Sequence, residues 1–169
     1  MLRPTIAHNR FMRLTLWTDY SLRVLMHCAA CEGAGRRATI AEMARMHGVS
    51  RHHLTKVVVA LVHGGWLLGQ RGRGGGLRLA RPASHICVGD VVRWAERDFQ
   101  LVACMAPEGQ NACLLMPGCR LRGALHEALQ AYLGVLDGYT LADLVPVAWA
   151  PLTREALQRP VATNQKPAG

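Results

Sequence analysis

Apolar side chains recur every three or four residues over most of this chain and alternate over one short stretch, so a mainly helical fold with a little strand is expected. From Thr18 a capping hydroxyl, Asp19 in the first turn, and Leu22, Leu25, Met26 and Ala29 at helical spacing predict a helix that ends near Gly33 to Gly35. Thr39 and Glu42 form a capping-box pattern ahead of Ile40, Met43, Ala44 and Met46, which predicts a short helix up to His47. Gly48 breaks it. Ser50 then caps a further helix on which Leu54, Val57, Val58, Leu61 and Val62 form one stripe, with Arg51, His52, Thr55, Lys56 and His63 off it. Two short helices around a glycine turn make a helix-turn-helix pattern.

The next segment changes period. Trp66-Leu67-Leu68 and Leu77-Arg78-Leu79 read as two strands joined by the flexible basic tip Gln70-Arg71-Gly72-Arg73-Gly74-Gly75-Gly76, the outline of a wing. Val88 to Phe99 returns to helical spacing through Val88, Val91, Val92 and Ala95, and residues 100–118 then lose periodicity. A long helix resumes from Cys119 with Leu121, Leu125, Ala128, Leu129, Tyr132, Leu133 and Leu136, and Thr140 to Val145 resembles a short capped turn. The fold class is therefore mainly α with a small β wing. Its expected organisation is a disordered arm over 1–11, a winged helix-turn-helix DNA-binding domain over 12–99, a loop over 100–118, a long helix and short turn over 119–145, and a disordered tail over 146–169.

Charge adds a partner to this picture. The 169 residues carry 20 Lys plus Arg against 11 Asp plus Glu, a net charge of +9 that favours a polyanion through phosphate neutralisation and counterion release. No stretch reaches the roughly 18 apolar residues of a membrane span, and Arg3, Pro4, His8 and Arg10 stand where a signal peptide needs an apolar core. A cytoplasmic protein is expected, in which the six cysteines are kept reduced and a spaced cluster of them suggests metal or redox chemistry.

A recognition helix presents side chains to base edges while a basic hairpin contacts phosphates or the minor groove. Ser50, Arg51, His52, His53 and Lys56 are the helix candidates, and Arg71 and Arg73 the wing candidates, with His53 alternatively facing the interior. Taken singly, Arg51 or Lys56 reads more plainly as part of a solvated face; the capped helix pair and the basic glycine-rich hairpin together point to DNA. No nucleophile–base pair emerges, and Arg71 to Gly76 lacks the Lys-Ser/Thr ending of a phosphate loop, so an enzyme is not expected.

Cys104-x8-Cys113-x5-Cys119 offers three soft thiolates in an irregular loop, a set suited to an iron–sulfur cluster. Zinc would also want a fourth ligand, and the spacing lacks the paired short knuckles of common zinc sites. Unrelated reduced thiols remain the plainer reading of these spacings alone. Cys28, Cys31 and Cys87 are expected to fill core or near-surface space.

From Met12 to Val145 the sequence resembles the NsrR family of regulators, close relatives of the IscR iron–sulfur regulators. The resemblance is carried by Met12-Arg13-Leu14-Thr15, Thr18-Asp19-Tyr20, Gly48-Val49-Ser50-Arg51 and Arg71 through Leu79. It continues in Val88-Gly89-Asp90-Val91-Val92-Arg93, the three spaced cysteines, Cys119-Arg120-Leu121-Arg122 and Tyr139 through Val145. It implies a homodimer formed through the helix from about Cys119 to Leu136, and a 4Fe–4S cluster on Cys104, Cys113 and Cys119. Nitrosylation of that cluster by nitric oxide would relieve repression of nitric-oxide detoxification genes.

The same resemblance implies that Asp19 of the partner subunit completes the cluster, although a carboxylate in a first helical turn is ordinarily a dipole partner. IscR-type proteins carry a histidine three positions after the last cysteine, where this chain has Arg122. Three alternatives stay open: an IscR-like 2Fe–2S regulator of iron–sulfur supply, a metal-free thiol switch, and an iron–sulfur electron carrier.

Overall fold

The computed structural model describes residues 13–72, 74–105 and 118–145. The arm over 1–11, the tail over 146–169, Arg73 and Cys113 lie outside the described residues.

Helix α1 (Leu16–Gly33) is the central post, with Val24, Leu25, Cys28 and Cys31 wholly buried on successive turns. A buried leucine such as Leu25 contributes roughly 1.5–3 kcal/mol through loss of apolar surface to water. The helix starts earlier than expected. Thr15, in extended conformation, is its N-cap and accepts from the Thr18 N–H at 3.3 Å. Thr18 is therefore inside the first turn, where its side chain is buried and its hydroxyl lies 3.1 Å from that of Thr15.

Helix α2 (Ile40–His47) begins as expected, the Thr39 hydroxyl accepting from the Glu42 N–H at 3.2 Å. The return half of the capping box is not made. The Glu42 carboxylate turns inward to His27 and Arg36, because two partners at a buried position outcompete one exposed backbone amide. Gly48 closes α2 at φ 62, a left-handed conformation that glycine adopts without steric cost, and helix α3 (Arg51–His63) follows. Ser50 occupies the N-cap of α3 without a side-chain capping bond. Leu54, Val57, Val58 and Leu61 form the buried stripe of α3 against α1 and α2.

The wing pairs β1 (Leu67–Gln70) with β2 (Gly76–Leu79) antiparallel, Leu67 opposite Leu79 and Gln70 opposite Gly76. Its base is fixed twice. Leu77 exchanges both backbone bonds with Ala38, at 2.8 and 3.1 Å, and the Leu79 N–H donates to the Glu32 carboxylate at 2.6 Å.

A 3₁₀ turn (Ala83–His85) leads to α4 (Val88–Ala95), which stops four residues before the expected Phe99. Glu96 leaves helical geometry at ψ 137, and its carboxylate accepts from the Thr15 N–H at 2.7 Å, drawn to the start of α1. A second 3₁₀ turn (Ala103–Met105) precedes α5 (Arg120–Asp137) and the one-turn α6 (Leu141–Leu144). The Asp143 carboxylate accepts from both the backbone N–H and the hydroxyl of Thr140 at 2.7 Å, as the capped-turn reading expected.

One apolar cluster joins α1, α2, α3, the wing, Ile86, Val91 and Leu141. A smaller one gathers Val88, Val92 and Leu133 with Leu14, Leu22, Phe99, Leu129 and Leu136, and so docks α5 against α4 and α1. Only Leu133 of α5 is buried, whereas Leu121 is 64% and Val135 62% exposed. Among the described residues no helix is long and apolar enough to cross a membrane.

Candidate nucleic-acid interface and metal centre

Burial of the Leu54–Leu61 stripe turns the rest of α3 to solvent. Ser50, Arg51, His52, His53 and Lys56 are all exposed, so the alternative of an inward His53 is corrected: only Leu54, its neighbour, belongs to the buried stripe. The His52 and His53 rings lie 6.2 Å apart, and Thr55 returns its hydroxyl to the Arg51 carbonyl at 2.8 Å. The helix runs through Gly64 and Gly65 into the wing, the Trp66 N–H closing on the Leu61 carbonyl at 2.9 Å.

At the wing tip Arg71 is exposed, and Gly75 donates to the Gly72 carbonyl at 2.9 Å. A Cβ on Gly75 would stand 2.4 Å from the Gln70 carbonyl oxygen, so this hairpin closes only with a glycine there. Its flank is held by a bond from the Arg37 guanidinium to the Gln70 side chain.

The described ion pairs consume other cations: Arg23 with Asp19, Arg36 with Glu42, and Arg93 with Asp90 and Asp137. Among the described residues no carboxylate pairs with Arg51, Lys56 or Arg71. Unneutralised cations on a helix and a hairpin that follow one another in the chain suit a phosphate-bearing partner.

Of the three loop cysteines, Cys104 sits in the second 3₁₀ turn and Cys119 at the N-cap of α5, both half-buried. Cys104 lies within the connection between α4 and α5, and Cys119 ends it. An open cleft of about 1010 Å³ there is lined by Phe99, Met105, Cys119, Arg122 and His126 among others. Among the described cysteines Cys119 alone lines it, and Cys104 precedes its Met105 in the chain. Asp19 lies elsewhere, on the first turn of α1, paired with Arg23 at 2.8 Å.

Cys87 fits the core or near-surface reading, on its near-surface side. It caps α4 half-exposed, with its sulfur 3.7 Å from the Asp137 backbone carbonyl. Cys28 fits that reading, and burial raises its thiol pKa far above the ordinary range.

The sequence reading passed over a buried polar cluster between α1 and α2. His27 is 2% and Glu42 6% exposed; His27 Nε2 lies 3.1 Å from Glu42 Oε1, Arg36 donates to the same oxygen at 2.6 Å, and Cys31 Sγ is 3.9 Å from it. The His47 ring meets His27 edge-on at 5.4 Å, with its buried Nε2 unpartnered among the described residues. Burial lowers the pKa of His27 and His47 and raises that of Cys31 to about 11. For Glu42, burial acts to raise the pKa, but the bonds from Arg36 and His27 prevail and hold it below the ordinary carboxylate value. The available signal was the Glu42 of the capping box, one helix away from an apolar-face histidine.

A helix-turn-helix followed by an anchored antiparallel hairpin, with exposed cations on both, defines a winged helix-turn-helix protein. The chain belongs to the Rrf2 family, described as iron-dependent transcriptional regulators, whose family model matches residues 14–146. It is 48% identical over 134 residues to the HTH-type transcriptional regulator NsrR of Geobacillus kaustophilus, covering 79% of this chain and 90% of that protein. Identity to the NsrR of Bacillus subtilis is 47%, with the same coverage of 79% and 90%.

The solved structure of CymR, the global cysteine regulator of B. subtilis, matches with a TM-score of 0.56 at 25% identity, over 79% of this chain and 96% of that one. The resemblance expected from the sequence is borne out, as is the mainly helical fold with a small wing. This protein is a transcriptional regulator, and its family implies DNA binding and a dimeric assembly.

Proposed function

We propose that this chain is a cytoplasmic repressor that senses nitric oxide through a 4Fe–4S cluster and, when the cluster reacts, releases genes for nitric-oxide detoxification. In this reading residues 12–99 bind the operator, 100–118 form the cluster loop, and 119–145 supply the dimer helix. Cys104, Cys113 and Cys119 would hold three irons, and Asp19 of the partner subunit the fourth. The cluster supplies the iron with which nitric oxide reacts, most readily where an oxygen ligand donates weakly.

One observation carries the reading: Cys119 lines the cleft that follows the end of α4, together with Met105, the residue after Cys104, and Glu96 at that end holds the first residue before α1. The chain's own parts then have distinct tasks. Arg71 and Arg73 at the wing and Lys56 on α3 would neutralise phosphates. Ser50, Arg51, His52 and His53 would face base edges near the start of α3, where backbone amides and dipole also favour the phosphate backbone. The exposed Leu121 and Val135 of α5 would pack against a second copy, as the family's dimeric assembly requires.

Native mass spectrometry of anaerobically purified protein, before and after nitric oxide, tests this. A dimer carrying 4Fe–4S that converts on exposure supports the reading. A 2Fe–2S dimer indifferent to nitric oxide would replace it with the iron–sulfur-supply regulator, and iron-free protein after reconstitution with the thiol switch.

A further inference from the structure

We propose that His27 Nε2, Cys31 Sγ and Glu42 Oε1 form a second metal site, for a borderline divalent cation of the zinc type, between α1 and the first helix of the helix-turn-helix. The three donor atoms lie within 4.8 Å of one another and all three residues are buried. This is a nitrogen, a sulfur and an oxygen, a donor set that zinc accepts in tetrahedral sites.

With bonds of about 2.0 Å to nitrogen and oxygen and about 2.3 Å to sulfur, tetrahedral geometry needs donors roughly 3.3 to 3.5 Å apart. The observed 3.1 Å from His27 to Glu42 and 3.9 Å from Cys31 to Glu42 already bracket that spacing. His27 and Cys31 sit one helical turn apart on α1, so α1 fixes two ligands and α2 brings the third.

The cluster already contains a cation, on its open side. Arg36 reaches Glu42 Oε1 at 2.6 Å from a half-buried position, while the other members are enclosed. Outward rotation of Arg36 would open both the entry path and the fourth coordination position, which water can fill. Charge balances: a divalent ion replaces the guanidinium, and Cys31 gives its thiol proton to solvent without any redox change. Burial lowers the His27 pKa, which favours the neutral imidazole that a metal ligand must be. An occupied site ties α2 to α1 and thereby steadies the reading head, so metal occupancy becomes a second input independent of the cysteine loop.

The test uses the full chain with Cys104, Cys113 and Cys119 all replaced by Ala, which removes the proposed cluster and keeps success or failure here separate from it. Under anaerobic, reducing conditions Co(II) is titrated in as a spectroscopic probe and then displaced by Zn(II). One Co(II) per chain is expected, with tetrahedral d–d absorption and a thiolate-to-cobalt band that Cys31→Ser abolishes and Cys28→Ser leaves.

Zn(II) should raise the melting temperature of this chain and not that of its Cys31→Ser version. Because Cys31→Ser or Glu42→Gln could also loosen the fold, a gain is required as well: Arg36→Met, which removes the competing cation, should tighten Co(II) binding by about tenfold or more. Absence of the thiolate band, its survival in Cys31→Ser, or no gain from Arg36→Met would overturn the site.

Discussion

Replacing Arg71 by Ala removes a charge without touching the fold. The side chain is exposed at the wing tip, and among the described residues it has no ion-pair partner. Stability should change by no more than about 0.5 kcal/mol, as for surface positions generally. In a dimer each operator meets two wings, so two phosphate contacts are lost. With about 0.9 counterions released per contact, the slope of log K against log salt should become shallower by about 1.8. Over a fourfold rise in salt, from about 50 to 200 mM, the variant should therefore lose about tenfold less affinity than the parent. Fluorescence anisotropy with one operator fragment across that range reads both slopes, and Arg71→Lys, which keeps the charge, should restore the parent slope. Parallel lines for the parent and Arg71→Ala would refute a phosphate role for this residue, whatever the loss of affinity at one salt concentration.

Iron and sulfide analysis should find no stable cluster in Cys104→Ala, Cys113→Ala or Cys119→Ala, and a full one in Cys28→Ala, whose melting should reveal only a core defect on the order of 1 kcal/mol. Asp19→Ala should keep the cluster but shorten its lifetime; an unchanged lifetime would leave Asp19 as the partner of Arg23. Leu121→Glu with Val135→Glu should convert dimer to monomer by sedimentation while helical circular dichroism persists, because neither side chain is buried in the protomer. Gly76→Ala should cost about 1–3 kcal/mol in thermal melts, since its Cβ would stand 2.7 Å from the Ala38 carbonyl oxygen at a backbone φ of 155. A melting curve indistinguishable from the parent's would show that the wing base yields.

Local signals carried the sequence reading as far as local physics decides structure. The Leu54–Leu61 stripe, Thr39 and Gly48 each act within a turn or two, and α2 and α3 begin and end where those residues require. The glycine-rich basic tip between alternating apolar residues likewise has one natural solution, a hairpin. The cap expected at Thr18 falls instead at Thr15, whose amide is held by Glu96, 81 positions away in the chain.

The same tertiary bond ends α4 early. Glu42 misled for a related reason: its spacing from Thr39 is that of a capping box, but His27 and Arg36 approach from other segments and claim the carboxylate. As for the candidate site, the exposed α3 residues were legible from periodicity. What covers Leu121 and Val135 of α5 was not, because periodicity marks an apolar face without naming its partner, and no described residue buries them.

The proposed repressor needs a route from the cysteine cleft to the DNA-reading elements, and α1 is the element common to both. At its start, Thr15 is tied to Glu96 by bonds from its amide at 2.7 Å and its hydroxyl at 3.3 Å, just ahead of the segment that carries Phe99 and Cys104. Along its length, Leu22 packs into the cluster that holds α4 and α5, while Val24, Leu25 and Cys28 pack into the cluster that holds α2, α3 and the wing. Reorganisation of the cysteine loop could thus move the Glu96 end, and with it the start of a rigid helix whose opposite face supports the reading head. A helix of 18 residues transmits such a shift because a close-packed core responds by switching between arrangements, not by absorbing displacement gradually. Two proposed sites linked to one such post, a cysteine cleft reached from its start through Glu96 and a buried His–Cys–Glu set farther along it, would bias the same equilibrium without needing to touch each other.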